Sequence, residues 1–276
     1  MSRLSITFYG TRGSIPVCDP NFQEFGGNTT CIAFYRQSKN RISILDAGTG
    51  IRALGKLIKK DFPEQHDISI VFTHFHWDHI QGLPFFDPAY NPNRVINIAA
   101  LGEGGKFTDL RRIFKNLMLE EYFPIQLEDM GAKFNFDYRE TSFFKDNGAV
   151  IKTIKQNHPG GSFGYRVEVD GCVVVVCTDI EHGEVVNEDI VAFAQNADLL
   201  IHEAQYTDEE LINHRGWGHS SFNQAIEVAE RAGVKQLVMT HHDPDHDDKF
   251  LKGIEKQCQA RFQNCSLARE GMTIEI

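Results

Sequence analysis

The sequence predicts an α/β protein in which two packed β-sheets carry helices on their outer faces. Three observations lead there: strand-like runs come in sets, helical stretches flank each set, and neighbouring runs are joined by local hairpin signals such as Asp170-Gly171. Together they favour two packed sheets over a single doubly wound parallel sheet.

In chain order, Leu4 to Tyr9, Cys31 to Tyr35 and Ile42 to Asp46 read as strands, the last running into Asp46-Ala-Gly-Thr-Gly50. Ile51 to Phe62 reads as a helix, with Ile51, Leu54, Leu57, Ile58 and Phe62 on one face. Asp67 to Thr73 returns as a buried strand. Between Gly82 and His158 the spacing predicts a strand near Val95 to Ala99, a helix near Phe107 to Leu119, and strands near Phe134 to Tyr138 and Val150 to Gln156. Tyr165 to Val169 and Cys172 to Cys177 form a hairpin through Asp170-Gly171. A helix near Glu188 to Asn196, a strand Asp198 to His202, a helix near Phe222 to Ala232 and a strand Gln236 to Thr240 follow. A last helix near Asp245 to Phe262 and a short strand Met272 to Ile276 complete the chain. Ser221 and Gln224 have capping-box spacing, and Gly233 suits a helix C-cap. With no internal repeat, linker or low-complexity tract, residues 1–276 are expected to form one domain.

Hydrophobic residues at 41% and charged residues at 24% are ordinary for a soluble globular protein. No apolar run approaches the roughly 20 residues of a membrane span. Met1 to Gly10 reads straight into a strand without the segments of a signal peptide, so a cytoplasmic location is expected. The cysteines at 18, 31, 172, 177, 258 and 265 lack CxxC spacing and are expected to be free, mostly buried thiols. A net charge of −10 argues against a long nucleic acid held by phosphate neutralisation, but leaves room for a small anionic substrate. The 12 histidines cluster near Asp, Glu and Gly, a distribution that points to metal.

His74-Phe-His76-Trp-Asp78-His79 follows the apolar strand Ile68 to Thr73, on a loop at a strand end. Three imidazoles and a carboxylate within so short a span can supply nitrogen and oxygen ligands to two adjacent divalent cations.

This HxHxDH segment resembles the signature of the metallo-β-lactamase superfamily, and the resemblance extends over nearly the whole chain. It implies a four-layer αββα sandwich with metals at one edge of the sheets. It also implies a third histidine for the first metal, a bridging aspartate and a late histidine for the second. His158 in Asn157-His-Pro-Gly-Gly, Asp179 in Cys-Thr-Asp-Ile180 and His241 in Met-Thr-His-His242 match in order. On this resemblance one metal takes His74, His76 and His158, the other takes Asp78, His79 and His241, and Asp179 joins them. A water or hydroxide between the metals would be the nucleophile, with Asp78 orienting it. Zinc suits this donor set, as do manganese and iron. His242 is an alternative to His241, but a strand end aims one of two neighbours inward, and the family pattern selects the first.

Asp198-Leu-Leu-Ile-His-Glu-Ala204 and Gly218-His-Ser220 resemble the His-Glu-Ala and Gly-His-Ser segments of ribonuclease Z and related phosphodiesterases. Phosphodiester cleavage needs a proton for the departing alkoxide and positive charge beside the phosphoryl oxygens. His219, bonded to Glu203, could supply both, with His202 in support. The loops Gly10-Thr-Arg-Gly-Ser14 and Gly26-Gly-Asn-Thr29 belong to the same resemblance: Arg12 or Asn28 could contact phosphate, or the loops could be tight turns only. Asp46 is expected to be a structural carboxylate near the first metal's ligands. Asp243, Asp245, Asp247 and Asp248 read as the acidic start of the last helix.

Ribonuclease Z grips tRNA with an arm inserted after the third-ligand segment, whereas residues 159–178 here leave room for a hairpin alone. The expected function is therefore a metal-dependent phosphodiesterase acting on a small phosphodiester, a cyclic nucleotide or short oligonucleotide. Thioester or lactone hydrolysis, tRNA 3′ processing and a non-catalytic metal-containing sensor are the alternatives, and a homodimer is left open.

Overall fold

A computed structural model of the chain describes residues 4–102, 109–146 and 148–276. The first half contributes β1 (Leu4–Gly10), β2 (Cys31–Arg36), β3 (Arg41–Leu45), α1 (Ile51–Asp61), β4 (Asp67–Phe72), α2 (Trp77–Ile80), β5 (Val95–Leu101), α3 (Leu110–Leu117) and β6 (Lys133–Arg139). The second begins with β7 (Phe143–Asp146), β8 (Ala149–Gln156), β9 (Ser162–Val169), β10 (Cys172–Cys177), α4 (Glu188–Ala194) and β11 (Leu199–Glu203). It continues with α5 (Asp208–Asn213), α6 (Phe222–Ala232), β12 (Leu237–Thr240), α7 (Asp248–Arg261), β13 (Cys265–Leu267) and β14 (Thr273–Glu275).

The strands form two seven-stranded sheets, ordered β14-β1-β2-β3-β4-β5-β6 and β13-β12-β11-β10-β9-β8-β7. Each is antiparallel over one half and parallel over the other, the change falling at β3 in the first sheet and at β10 in the second. Alternation along the strands sorts the core into three layers. Ile42, Ile44, Ile68, Ile70, Ile96 and Ile98 face α1 and α3, meeting Leu54, Ile58 and Phe114. Val175, Leu200 and Leu237 face α4, α6 and α7, meeting Ile190, Ile226 and Leu251. Between the sheets lie Ile6, Phe8, Ile32, Leu45, Val174, Val176, Ile201 and Val238. Each fully buried side chain of this kind contributes about 1.5–3 kcal/mol. The expected αββα sandwich is therefore the observed one.

Most expected elements are present with boundaries moved by a few residues. The strand expected at Asp198 to His202 runs one residue later, so that Glu203 is its last residue. The helix expected near Phe107 to Leu119 starts at Leu110, where Asp109 caps it by accepting the Arg112 N–H; Phe107 itself is outside the described residues. The last helix starts at Asp248 because Asp247 is its cap, accepting the N–H of Phe250. Ser221 and Gln224 form the expected capping box, and Gly233 takes the left-handed C-cap at φ 62°. The sequence reading lacked β7, β13, α2 and α5. Among the described residues no helix is long and apolar enough to cross a membrane. The cysteines are free; Cys31, Cys177, Cys258 and Cys265 are buried, Cys172 is half-buried and Cys18 is exposed.

Candidate metal centre

Parallel strands end at a common rim, and polar residues placed just beyond those ends converge. Here β3 leads into Asp46, β4 into His74 to His79, β10 into Asp179 and β12 into His241, while β11 ends on Glu203. His158 comes from the turn between β8 and β9. Asp46, Asp179 and His241 hold φ of 60°, 60° and 63°, a left-handed backbone that costs a side-chain-bearing residue on the order of 1 kcal/mol or more.

Three overlapping groups of donors result. His74, His76 and His158 form one, Asp78, His79, Asp179 and His241 a second, and His158, Asp179 and His219 a third, with the donor atoms of each within 4.8 Å of one another. Asp179 faces both: its Oδ1 lies 3.7 Å from His74 Nε2 and 3.9 Å from His158 Nε2, and also 3.3 Å from His241 Nε2. Its Oδ2 lies 3.3 Å from His79 Nε2. Asp78 Oδ2 is 3.3 Å from His79 Nε2 and 3.1 Å from His241 Nε2. The ligand set expected from the sequence is thus brought together as two adjacent groups sharing Asp179.

The outer ring nitrogens are already engaged. His74 Nδ1 meets Thr73 Oγ1 at 3.1 Å, His79 Nδ1 meets Asp46 at 2.8 Å, His158 Nδ1 meets the Gly218 carbonyl at 2.9 Å and His241 Nδ1 meets Gln205 Oε1 at 3.1 Å. Such partners orient an imidazole so that Nε2 is free to ligate a metal. The Nε2 atom of His74 is buried without a hydrogen bond, and an orphaned buried nitrogen of this kind fits a cation.

The electrostatics agree. Burial holds His74 well below the usual histidine range, with neighbouring His79 adding to it, and burial lowers His76 and His158 as well. These three rings are neutral, the form that ligates. Burial alone would lower His79 and His241, but Asp179 and Asp78 reverse it, leaving His79 well raised and His241 at about 8. Burial would raise the two aspartates, yet the facing histidines hold both well below the carboxylate range. The lowered carboxylates favour positive charge between them, which a divalent cation would supply in place of protons.

Beside this cluster, His219 Nδ1 lies 3.3 Å from Glu203 Oε1, and its ring stacks on His241 with centroids 5.1 Å apart. Glu203 is fixed by backbone N–H groups: Ile180 and Ser220 donate to Oε1, Gln205 to Oε2. Ser14, Asp78, Asp179, His219 and His241 line a cavity of about 480 Å³.

Several expectations are corrected. Arg12 does not reach the cavity. It is wholly buried, donating from Nε to the Gly26 carbonyl and from Nη1 to the carbonyls of Asp243 and His246, and burial lowers it to about 10. Asn28 is bound to Glu270. The N-terminal loop instead offers a backbone donor, Ser14 N–H to Asp78 Oδ2 at 2.9 Å. Gly13 has to be glycine, since a Cβ there would sit 2.3 Å from the His241 ring. Asp46 lies beside the first group, holding Thr73 next to His74, and in addition binds His79 of the second. His202 pairs with His182 and meets the Glu203 carbonyl, and His242 turns to the Ala268 carbonyl. Of the four late aspartates, Asp247 caps the last helix, but Asp243 binds Gln205 and the Asp245 N–H.

Sequence reasoning missed Thr73, Gln205 and Glu181. The Glu181 carboxylate accepts from Gly216 N–H and Gly218 N–H at 2.8 and 2.9 Å, tying down the loop before His219. A carboxylate two residues beyond Asp179 was the available signal.

Comparison with known proteins agrees with this geometry. A curated Ribonuclease BN from Enterobacter sp. (strain 638) is 24% identical, with 98% of this chain and 99% of the relative covered. Among solved structures, the short form of human tRNase Z superposes with a TM-score of 0.68 at 22% identity over 99% of both chains. A diphosphatase of the PhnP family gives 0.73 at 18% identity over 99% of this chain and 98% of that one. The family model described as the beta-lactamase superfamily domain matches residues 41–242, which take in every donor of the cluster. The chain belongs to the metallo-β-lactamase superfamily, on its ribonuclease Z-like branch.

Proposed function

We propose that this hydrolase is a metal-dependent phosphodiesterase acting on a small phosphodiester such as a cyclic nucleotide or short oligonucleotide. The observation that carries the reading is the Glu203–His219 pair beside the donor cluster. Two divalent cations held by His74, His76, His158 and by Asp78, His79, His241, with Asp179 between, would supply positive charge and an acidic water. Zinc is the first choice for so nitrogen-rich a set, with manganese or iron as alternatives.

The remaining steps fall to the chain. Asp78, fixed by Ser14 N–H and His241, orients the attacking water. His219 donates Nδ1–H to Glu203, which leaves Nε2 to deliver a proton to the departing alkoxide. Glu203 is a positioning residue; its carboxylate is already filled by three backbone donors and cannot swing away.

The relatives named for ribonuclease activity favour a second reading, cleavage of precursor tRNA. Against it stand the net charge of −10 and the interval between His158 and Asp179, which the β9–β10 hairpin fills. Metal-loaded protein incubated with cyclic mononucleotides, cyclic dinucleotides, short RNAs, precursor tRNA, an acyl thioester and a lactone separates the readings. Turnover of small phosphodiesters is expected. Turnover of the thioester or lactone alone removes the proposal, and exclusive cleavage of precursor tRNA replaces it.

A further inference from the structure

The chain has two tryptophans, and both are in the wrong place for a folding role. Trp77 is 78% exposed and Trp217 is 60% exposed, and neither belongs to any of the three core clusters. Indole is among the largest apolar side chains and is normally well covered. An exposed pair therefore calls for something that covers it.

Trp77 lines the candidate centre, and Trp217 stands on the loop that leads into His219. Trp77 sits between His76 and Asp78 at the start of α2 and lines the cavity of about 480 Å³ together with Asp78, Asp179, His219 and His241. Trp217 is two residues before His219. Its loop is held rigidly: the Glu181 carboxylate accepts from Gly216 and Gly218 on either side of it. The indole meets the His214 ring edge-on at 4.9 Å, and His214 is stacked on Tyr206 at 4.4 Å. Gly218 must stay small, because at φ 92° a Cβ would fall 2.2 Å from His158 Nδ1. Trp217 is thus presented by a loop that also supports a candidate ligand and precedes the candidate proton donor.

We infer that Trp77 and Trp217 form a stacking subsite for the nucleobases on a phosphodiester substrate. A centre that acts on phosphorus needs its neighbours to recognise what the phosphoryl group carries. Flat indoles on a pinned framework recognise flat π-systems, and stacking tolerates every base because each presents a π-face. The chain has a net charge of −10, so base stacking supplies affinity that phosphate attraction does not. The inference rests on the phosphodiesterase reading and adds to it two residues that select base-bearing esters.

The two indoles are also the only tryptophan reporters, so binding can be read without turnover. Adenosine 5′-monophosphate is titrated into the metal-loaded protein, with ribose 5-phosphate as the base-free control, following tryptophan fluorescence. Hydrolysis of thymidine 5′-(p-nitrophenyl phosphate) is measured beside that of ethyl p-nitrophenyl phosphate, in wild type, Trp77→Ala, Trp217→Ala and the corresponding Phe variants. Quenching by the nucleotide alone is expected. In the Ala variants KM for the thymidine ester should rise roughly 10- to 100-fold per lost stack, the preference over the ethyl ester should fall, and Phe should restore part of it. Wild-type hydrolysis of both esters with unchanged KM in both Ala variants would overturn the stacking subsite and leave the phosphodiesterase reading intact. Hydrolysis of neither ester removes that reading, and nucleotide quenching that is absent from wild type, or that ribose 5-phosphate matches, removes the subsite.

Discussion

His79 Nδ1 lies 2.8 Å from Asp46 Oδ2, and both residues are fully buried. Asp46 also accepts the backbone and hydroxyl protons of Thr73, so one carboxylate orients a candidate ligand and anchors the loop that carries three more. Burial raises the Asp46 pKa, while His79 and Thr73 oppose that rise.

Asp46→Asn keeps the shape and removes the charge that aligns the imidazole. Metal affinity, measured by competition with a chromogenic chelator, is expected to fall about 10- to 100-fold. Affinity equal to wild type would mean that Asp46 is only a loop anchor.

Removing the metal should weaken the fold, because a cation that binds the native cluster stabilises it by mass action. Chelator-treated protein is expected to melt at lower temperature, and added zinc, manganese or iron should restore the loss. A melting temperature indifferent to both treatments would contradict a native metal centre.

Tyr165 joins the two sheets directly beneath the His74 loop. Its buried hydroxyl donates to the Phe72 carbonyl at 2.7 Å and accepts from the Leu101 N–H. Tyr165→Phe should cost about 1–3 kcal/mol in urea unfolding, since it leaves those buried backbone groups unpaired. A change below about 0.5 kcal/mol would show that the hydroxyl is dispensable.

His182 and His202 stack in a pair with Nε2 atoms 3.2 Å apart. Burial, then His202, lowers His182 from its ordinary 6.5 to about 3, and burial lowers His202 too. The unfolded chain takes up protons below about pH 6.5 while the folded one refuses them until near pH 3. The stability this pair contributes is therefore fully present above pH 6.5 and declines as pH falls through that window. In metal-free protein, His182→Gln should make the loss between pH 7 and pH 4 shallower than in wild type. Parallel slopes would place the acid sensitivity elsewhere.

Much of the centre was legible because β4, β10 and β12 are apolar runs that stop abruptly at His74, Asp179 and His241, and two sheets with parallel halves bring such ends together. Edges and supports were not. β7 and β13 span Phe143–Asp146 and Cys265–Leu267, too short for a period to register, and α5 buries none of its residues, so it has no apolar stripe. Its capping box, Thr207 with Glu210, was nevertheless written in the sequence. Arg12 was read as a phosphate contact or a turn residue because its true partners are main-chain carbonyls from distant loops, which no side-chain pattern records. Asp46 was placed beside the first group, and its bond to His79 of the second was not legible because strand order does not say which histidine ring turns toward it.

The account turns on His219 as proton donor beside an intact metal cluster. The decisive measurement is hydrolysis of a cyclic mononucleotide, whose leaving group is an alkoxide, by metal-loaded wild type and His219→Ala, with bound metal quantified in the same samples. The account predicts equal metal content and a kcat lower by roughly 100- to 10,000-fold in the variant. Equal metal content with unchanged turnover would contradict it.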